Sequence, residues 1–167
     1  SVTLTAGDEI VATIDAATTA TLSSGSTTTD SVIDSGGSLT SLSLSGNGAA
    51  TDFNVTGANN LAAVTITGDQ SVTVIASAAD IDALTAGTGN IFTVTDTGSA
   101  GTSTLQVGTA AGDMDLSGST VDVVTLAIDN NAKTTTVASG ETLVFGVDQS
   151  STTVDGVDTS ASTNTVA

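Results

Sequence analysis

"LTSLSLSGN" at residues 39–47 and "LAAVTITGD" at residues 61–69 decide the fold class. Aligned without gaps, both read apolar-x-x-apolar-polar-apolar-polar-Gly followed by Asn or Asp, with an offset of 22 residues. The strict alternation predicts a β-strand in each copy, and the Gly-Asn or Gly-Asp pair predicts a turn after it. "VDVVTLAID" at 121–129 repeats the first part of the pattern. A strand-and-turn unit that recurs about every 20 residues is typical of a solenoid.

Strand signals of the same kind occur along most of the chain. Helix is disfavoured because Thr, Ser, Val, Gly and Asp dominate and the period is two rather than 3.6. "IASAADIDALTA" at 75–86 has a mildly helical composition, and we interpret it as a corner followed by a strand. The predicted strands are residues 39–45, 61–67, 71–76, 90–96, 103–108, 121–128, 133–138 and 141–147.

Composition indicates a narrow interior. The 167 residues include three Phe and one Met but no Trp, Tyr or Pro. Small branched side chains fill only a thin core, and the missing prolines leave every N–H available for a strand ladder. We therefore predict an all-β chain folded as a parallel β-solenoid (β-helix) with coils of about 20–22 residues. The alternative is an antiparallel β-sandwich, which also uses many short strands.

The repeat divides the chain into three parts. Residues 1–38 fit it less well and are predicted to form an N-terminal strand, arm or cap. Residues 39–148 are predicted to hold the solenoid repeats, and residues 149–167 form a polar C-terminal tail. Each end is either a frayed tail or an arm that adds a strand to a neighbouring subunit.

The strongly negative charge of the chain limits which partners it can bind. The chain has eighteen acidic residues and one basic residue, Lys133, for a formal net charge of −17. Without Lys and Arg it has no means of neutralising phosphates, so we expect no nucleic-acid partner. No apolar run is long enough to span a bilayer, so we expect no membrane insertion.

Catalysis is poorly supported by the residue types present. The chain has no His, Cys, Tyr or Arg, which leaves carboxylates, one amine and unactivated hydroxyls. The pairs Asp80/Asp82 and Asp113/Asp115 place two carboxylates two residues apart, a spacing that puts both on one face of a strand. Sugar-cleaving sites usually add aromatic and basic groups, so we predict that the protein is not an enzyme.

The element "LxxVTITGDQSVTV", with Asp and Gly at its corners, resembles repeat regions of bacterial surface-layer proteins exported by type I secretion, as in Caulobacter and Campylobacter. The likeness covers about residues 39–148. It implies a secreted, calcium-dependent, self-assembling lattice or filament at the cell surface. The calcium-binding nonapeptide GGxGxD of that secretion class is absent; "DSGGSL" at 34–39 and "AGDMD" at 111–115 are fragments of it.

Calcium ligands are therefore predicted from position. Calcium takes six to eight oxygens from carboxylates, amides and carbonyls, and solenoid corners can supply all three. The other interpretation is that corner Asp and Asn residues form Asx turns and hydrate the surface. The candidate ligands are Asp69, Asn90, Asp96, Asp113, Asp115, Asp129, Asn130 and Asp148, followed by Asp80 and Asp82.

Function is predicted from the two open ends that a solenoid must have. Unless both ends are capped, such a chain stacks end to end into filaments or lattices. We expect a structural subunit of an extracellular, acidic assembly whose partner is the chain itself. The alternative is an adhesin or fibre-stalk module that presents Thr-rich faces, such as "TTT" at 27–29 and 134–136 and "TVTDT" at 93–97, to a glycan or cell surface.

Overall fold

The computed structural model of the protein describes residues 1–34, 36–98, 101–108, 110–130, 133–138, 141–147, 153–155 and 164–166. Within these residues the strands form three sheets, and every strand pairing is parallel. The sheets stack as a β-solenoid, which confirms the predicted fold class. None of these pairings is of the antiparallel kind that a sandwich requires.

The first sheet has five strands: β1 (Val2–Ala6), β3 (Thr19–Ser24), β5 (Ser41–Gly46), β7 (Ala63–Ile66) and β9 (Thr93–Asp96). The second sheet has eight, in the order β16 (Asn164–Val166), β14 (Thr142–Phe145), β12 (Val123–Leu126), β10 (Ser103–Gly108), β8 (Val72–Ser77), β6 (Thr51–Gly57), β4 (Asp30–Ile33) and β2 (Val11–Thr13). The third sheet has three: β11 (Met114–Leu116), β13 (Thr134–Val137) and β15 (Thr153–Asp155).

One coil consists of a strand in the first or third sheet followed by a strand in the second sheet. The coils pair with those before and after them, so Ser41 lies beside Ala63, an offset of 22 residues, and Thr104 lies beside Val123, an offset of 19. These offsets agree with the period of the sequence repeat. All eight predicted strands overlap a strand of the structure.

The core consists of inward side chains stacked along the solenoid. In the second sheet, the residues that lie in register and are almost fully buried are Phe53, Val74, Leu105, Val124 and Leu143. Each stack buries apolar area at about 1.5–3 kcal/mol per large side chain. Because the coil is narrow, branched aliphatic residues suffice and few aromatic rings are needed.

The segment at 75–86 is not a corner followed by a strand, and that interpretation was wrong. After β8 the chain forms helix α1 (Ala78–Thr88). Ser77 caps its start by accepting a hydrogen bond from the Asp80 amide, and Gly89, in the left-handed conformation at φ 72°, ends it. Ile81 and Leu84, three residues apart, bury one side of the helix. The local caps and this spacing outweigh the poor helix propensity of the chain as a whole.

Helix α1 lengthens the coil between β8 and β9. Across the insertion Ala63 lies beside Thr93, an offset of 30 residues. The next coil covers the outer edge of β9 with side-chain hydroxyls: Ser119 Oγ accepts from the Val94 amide at 3.0 Å. Thr120 Oγ1 accepts from the Asp96 amide at 3.1 Å. The first sheet therefore ends at β9, and β11 begins the third sheet.

The boundaries suggested at residues 38 and 149 have no counterpart in the strand pairing. β3 lies before residue 38 and pairs along its length with β5. β15 and β16, within 149–167, pair with β13 and β14. The same parallel ladder thus extends to strands in both terminal parts of the chain.

Candidate functional site

Lys133 lies in an acidic corner, which we define as Asp82, Asp113, Asp115 and Lys133. The Lys133 Nζ is 3.4 Å from Asp113 Oδ2 and 3.5 Å from Asp82 Oδ2. Asp82 belongs to α1, Asp113 immediately precedes β11, and Lys133 immediately precedes β13. The only basic side chain of the chain thus joins the inserted helix to two successive coils.

Backbone hydrogen bonds fix the two carboxylates of this pair. Asp113 Oδ1 accepts from the Thr134 amide at 2.7 Å, and this bond, with the hydrogen bond from Lys133, holds the pKa of Asp113 below its ordinary value. Asp82 Oδ2 accepts from the Asp113 amide at 3.2 Å. The hydrogen bond to Asp113 raises the pKa of Lys133, so the ion pair persists across the neutral range.

The acidic corner opens onto a groove of about 220 Å³ between α1, β11 and β13. Asp115, which also lines the groove, accepts hydrogen bonds from the amide and hydroxyl of Ser117. Carboxylate and hydroxyl oxygens suit a hydrated cation, but the Lys133 ammonium already lies between two of the carboxylates. Among the residues that the structure describes, no group of three or more His, Cys, Asp or Glu side chains could hold one metal ion.

The other predicted ligands have local roles or lie on the surface. Asp96 Oδ1 accepts from the Gly98 amide at 2.7 Å, as in an Asx turn. The Asp80 amide donates to the cap of α1. Asp69, Asn90 and Asp129 are exposed, and Asp148 lies outside the described residues.

Asn130, also predicted as a ligand, is fully buried and binds the neighbouring coil. Its Oδ1 accepts from the Gly112 amide at 3.0 Å, and its Nδ2 donates to the Gly112 carbonyl and to Thr135 Oγ1, each at 3.1 Å. The side-chain amide thus pairs with Gly112 as a backbone amide would in a ladder. These bonds join coils and use both ends of the amide.

Sequence reasoning missed the buried carboxylates. Asp30 is fully buried, and its carboxylate accepts from the Ile10 amide at 2.5 Å and from Thr51 Oγ1 at 2.9 Å, which ties three successive coils together. Asp30 precedes Val32 by two residues in the alternating stretch "DSVI", so period two alone marks it as inward-facing. The alternation of this stretch therefore carries the signal that would have identified Asp30.

Two further buried carboxylates in the described part of the chain keep one oxygen without a partner. Asp34 Oδ2 accepts from the Leu39 amide at 2.6 Å, whereas its Oδ1 is buried and unpaired. Glu141 Oε2 accepts from the Ala138 amide at 3.1 Å, and its Oε1 is likewise unpaired. Burial raises the pKa of Glu141 to about 7. Glu141 precedes the buried Leu143 by two residues, so the same period-two argument places it inward.

The outer face of the first sheet is neutral and rich in hydroxyl groups. One row in register runs through Thr3, Thr21, Ser43, Thr65 and Thr95. The other outward positions on β3, β5 and β9, two residues away from this row, are also Thr or Ser. On β7 the corresponding position is Ala63. Although the chain has a net charge of −17, no outward position on the strands of this face carries a carboxylate.

The amino-terminal coil, β1 with β2, is open on its outer side; we call it the open coil. Leu4 lies in register with Leu22 and Leu44, both fully buried, yet Leu4 itself is 41% exposed. Val2 is 37% exposed although its register partner Ala20 is buried. Core positions therefore reach the surface at this end.

Comparison with protein-family models, curated proteins and solved structures found no match. The resemblance to surface-layer repeat regions stays a prediction drawn from the residues. Within the described part of the chain, no helix has the length and hydropathy needed to cross a bilayer.

Proposed function

We propose that the protein is a non-enzymatic structural subunit of a self-assembling extracellular filament or surface layer. The observation that carries this proposal is the parallel solenoid itself, in which each coil pairs with the next along one axis. Exposed core positions and unpaired strand edges favour association with another chain.

The distribution of charge supports the same role. Many carboxylates lie at the corners between strands, whereas the outward positions of the first sheet carry none. Flat neutral faces allow coils and copies to approach, while acidic corners keep the surface hydrated. Extracellular, cell-surface localisation belongs to this proposal and rests on the composition and the resemblance described above.

Calcium enters the proposal as a counter-ion for the corner carboxylates. A chain of net charge −17 repels itself, and divalent cations screen that repulsion. Thermal melting in millimolar calcium, compared with sodium chloride of equal ionic strength, tests this part. We expect a higher melting temperature in calcium, and equal values in both salts would remove calcium from the proposal.

Negative-stain electron microscopy of the purified chain, with calcium and with chelator, tests the structural role itself. We expect ordered filaments or sheets in calcium. Discrete particles in both conditions at every concentration tested would contradict it.

The neutral hydroxyl face supports a second candidate, a binding module of an adhesin or fibre stalk. Rows of Thr and Ser repeat once per coil, about 4.8 Å apart, so they could match a repeating neutral ligand such as a glycan. Thr65→Lys places a charge at the centre of this face, and Thr73→Lys places one on the second sheet as a matched control. The candidate is favoured if the wild type and Thr73→Lys bind a glycan on an array and Thr65→Lys does not. It is rejected if the wild type binds no glycan on the array.

A further inference from the structure

The outward face of the first sheet, which we call the hydroxyl face, carries a two-dimensional array of hydroxyl groups. Its side chains alternate with buried core residues and form three rows along the solenoid axis. The middle row is Thr3, Thr21, Ser43, Thr65 and Thr95. The rows beside it are Thr19, Ser41, Ala63 and Thr93, and Thr5, Ser23 and Ser45.

Thr67 and Thr97 directly follow β7 and β9 and continue the row that contains Ser45. Their amides donate to the carbonyls of Leu44 and Ile66 at 2.9 and 3.0 Å, as further steps of the same ladder. The third row therefore also extends over all five coils of the first sheet.

The fold fixes the spacing of this array in both directions. Neighbouring strands lie about 4.8 Å apart, and alternate residues of one strand lie about 6.6 Å apart. The array therefore spans about 19 Å across the five strands and about 13 Å along them. Because the backbone ladder holds each row in register, the hydroxyl groups repeat regularly.

The middle row is available to a ligand. Within the described residues, none of its five hydroxyl groups makes a hydrogen bond to another group of the chain, so each is able to donate and to accept outward. In the third row the hydroxyls of Thr67 and Thr97 donate to the Leu44 and Ile66 carbonyls at 3.3 and 2.9 Å. The middle row is thus the centre of any contact.

The chemistry of the face selects a neutral, regular ligand. Its strands present no outward charge, so it has no means of pairing with an ion. They present no outward aromatic ring on which a sugar would stack, since Phe53 and Phe92 are buried and the chain has no Trp or Tyr. On the prism faces of hexagonal ice, water oxygens that donate and accept hydrogen bonds repeat at distances close to both spacings of the array.

We propose that the hydroxyl face binds ice, with its rows holding surface waters at positions that the crystal continues. Each hydroxyl holds its water weakly, so adsorption depends on many contacts formed together. Bound chains hold back the crystal front between them, which lowers the freezing temperature below the melting temperature. This inference goes beyond the structural role and does not depend on it.

Nanolitre osmometry of the purified chain tests the proposal, because it measures the gap between melting and freezing temperatures and so cancels colligative effects. Thr65→Lys disrupts the middle row, and Thr73→Lys adds the same charge to the second sheet as a matched control. We expect a gap in the wild type and in Thr73→Lys, and a gap smaller by about tenfold or more in Thr65→Lys. Circular dichroism spectra should be equal for the three chains.

No gap in the wild type, or equal gaps in the two folded variants, would overturn the inference. If the wild type shows no gap but binds a glycan that Thr65→Lys does not bind, the face belongs to the glycan candidate. Electron microscopy of the assemblies decides the structural role separately.

Ala63→Thr gives a second test that a folding defect does not imitate. It places a hydroxyl between Ser41 and Thr93 and completes their row. Gln106→Thr adds a threonine at an outward position of the second sheet and is the matched control. We expect a wider gap in Ala63→Thr and an unchanged gap in Gln106→Thr. A narrower gap in Ala63→Thr, or the same increase in both variants, would contradict the match between the array and ice.

Discussion

Buried polar side chains join neighbouring coils where the corners interrupt the backbone ladder. Asn130 pairs with both backbone groups of Gly112, and Asp30 binds groups from the coils on either side of it. A buried polar group that loses its partner costs more free energy than the bond itself contributes. The corners of this solenoid therefore depend on a few specific residues.

Asn130→Ala should lower the free energy of unfolding by about 2–3 kcal/mol, because three hydrogen bonds are lost and Gly112 keeps two buried groups unpaired. Chemical denaturation measures the change. Asn90→Ala, at an exposed position, is the matched control and should change stability by less than about 0.5 kcal/mol. Equal effects of the two substitutions would show that Asn130 does not join the coils.

Glu141 should make stability depend on pH. Its pKa is about 7 in the folded chain against an ordinary 4.5, so the folded state binds more protons than the unfolded state between these values. The free energy of unfolding contributed by this group therefore falls as pH rises from about 4.5 to 7 and then stays low.

Glu141→Gln should remove that dependence. At pH 8 we expect the variant to be more stable than the wild type by about 1–3 kcal/mol, because Gln does not carry the buried negative charge, and near pH 4.5 the difference should close. Thermal melts at the two pH values measure it. Glu9→Gln removes the same charge from an exposed position and controls for net charge. If Glu9→Gln raises stability at pH 8 as much as Glu141→Gln does, the effect comes from net charge alone.

At the residue scale, sequence identified the polar corners but not the direction of each side chain. Asn130 was predicted as a cation ligand, yet its side chain faces inward and binds Gly112. Asp82, Asp113 and Asp115 were predicted and do lie together, but the role of Lys133 between them was not foreseen. Corner residues follow no fixed period, so alternation does not determine which of them face inward.

Helix α1 is the element that departs from the repeat. It adds residues to the coil between β8 and β9, and β9 still pairs with β7 in the first sheet. Its ends are defined by Ser77 and Gly89, and its buried side by Ile81 and Leu84. The parallel ladder of the second sheet continues across the insertion, because β8 and β10 still pair directly.

Ser77→Ala should destabilise the chain by about 1 kcal/mol, the usual cost of losing an N-cap side chain. The loss should appear as faster amide hydrogen exchange in residues 78–88 than in β8. Ser45→Ala, at an outward position of the first sheet, is the matched control. Unchanged exchange across α1 would show that the cap does not limit opening of the helix.

Strands were predictable where alternation coincided with turn residues, although β6 (Thr51–Gly57), which also alternates, was not predicted. All eight predicted strands are present because period two and turn residues coincide there. β11 covers three residues, Met114–Leu116, too few for a periodic signal. α1 was misread because its buried residues, Ala78, Ile81 and Leu84, span fewer than two turns, which is too short for a clear helical period.

At the scale of the whole molecule, one rule accounts for both stability and the proposed assembly. Each coil covers the inward residues of the coil before it, and the open coil is left with Val2 and Leu4 exposed. The architecture was predictable because the repeat is visible in sequence. The extension of the ladder into residues 1–38 and 149–167 was not, since those segments match the repeat pattern poorly.

X-ray diffraction from aligned assemblies tests the central claim most directly, because the solenoid and its end-to-end stacking make one common prediction. If copies add coil upon coil, the strand spacing of about 4.8 Å lies along the filament axis and gives a sharp meridional reflection. Assemblies whose reflection at about 4.8 Å lies on the equator, or is absent, would contradict end-to-end stacking of parallel coils.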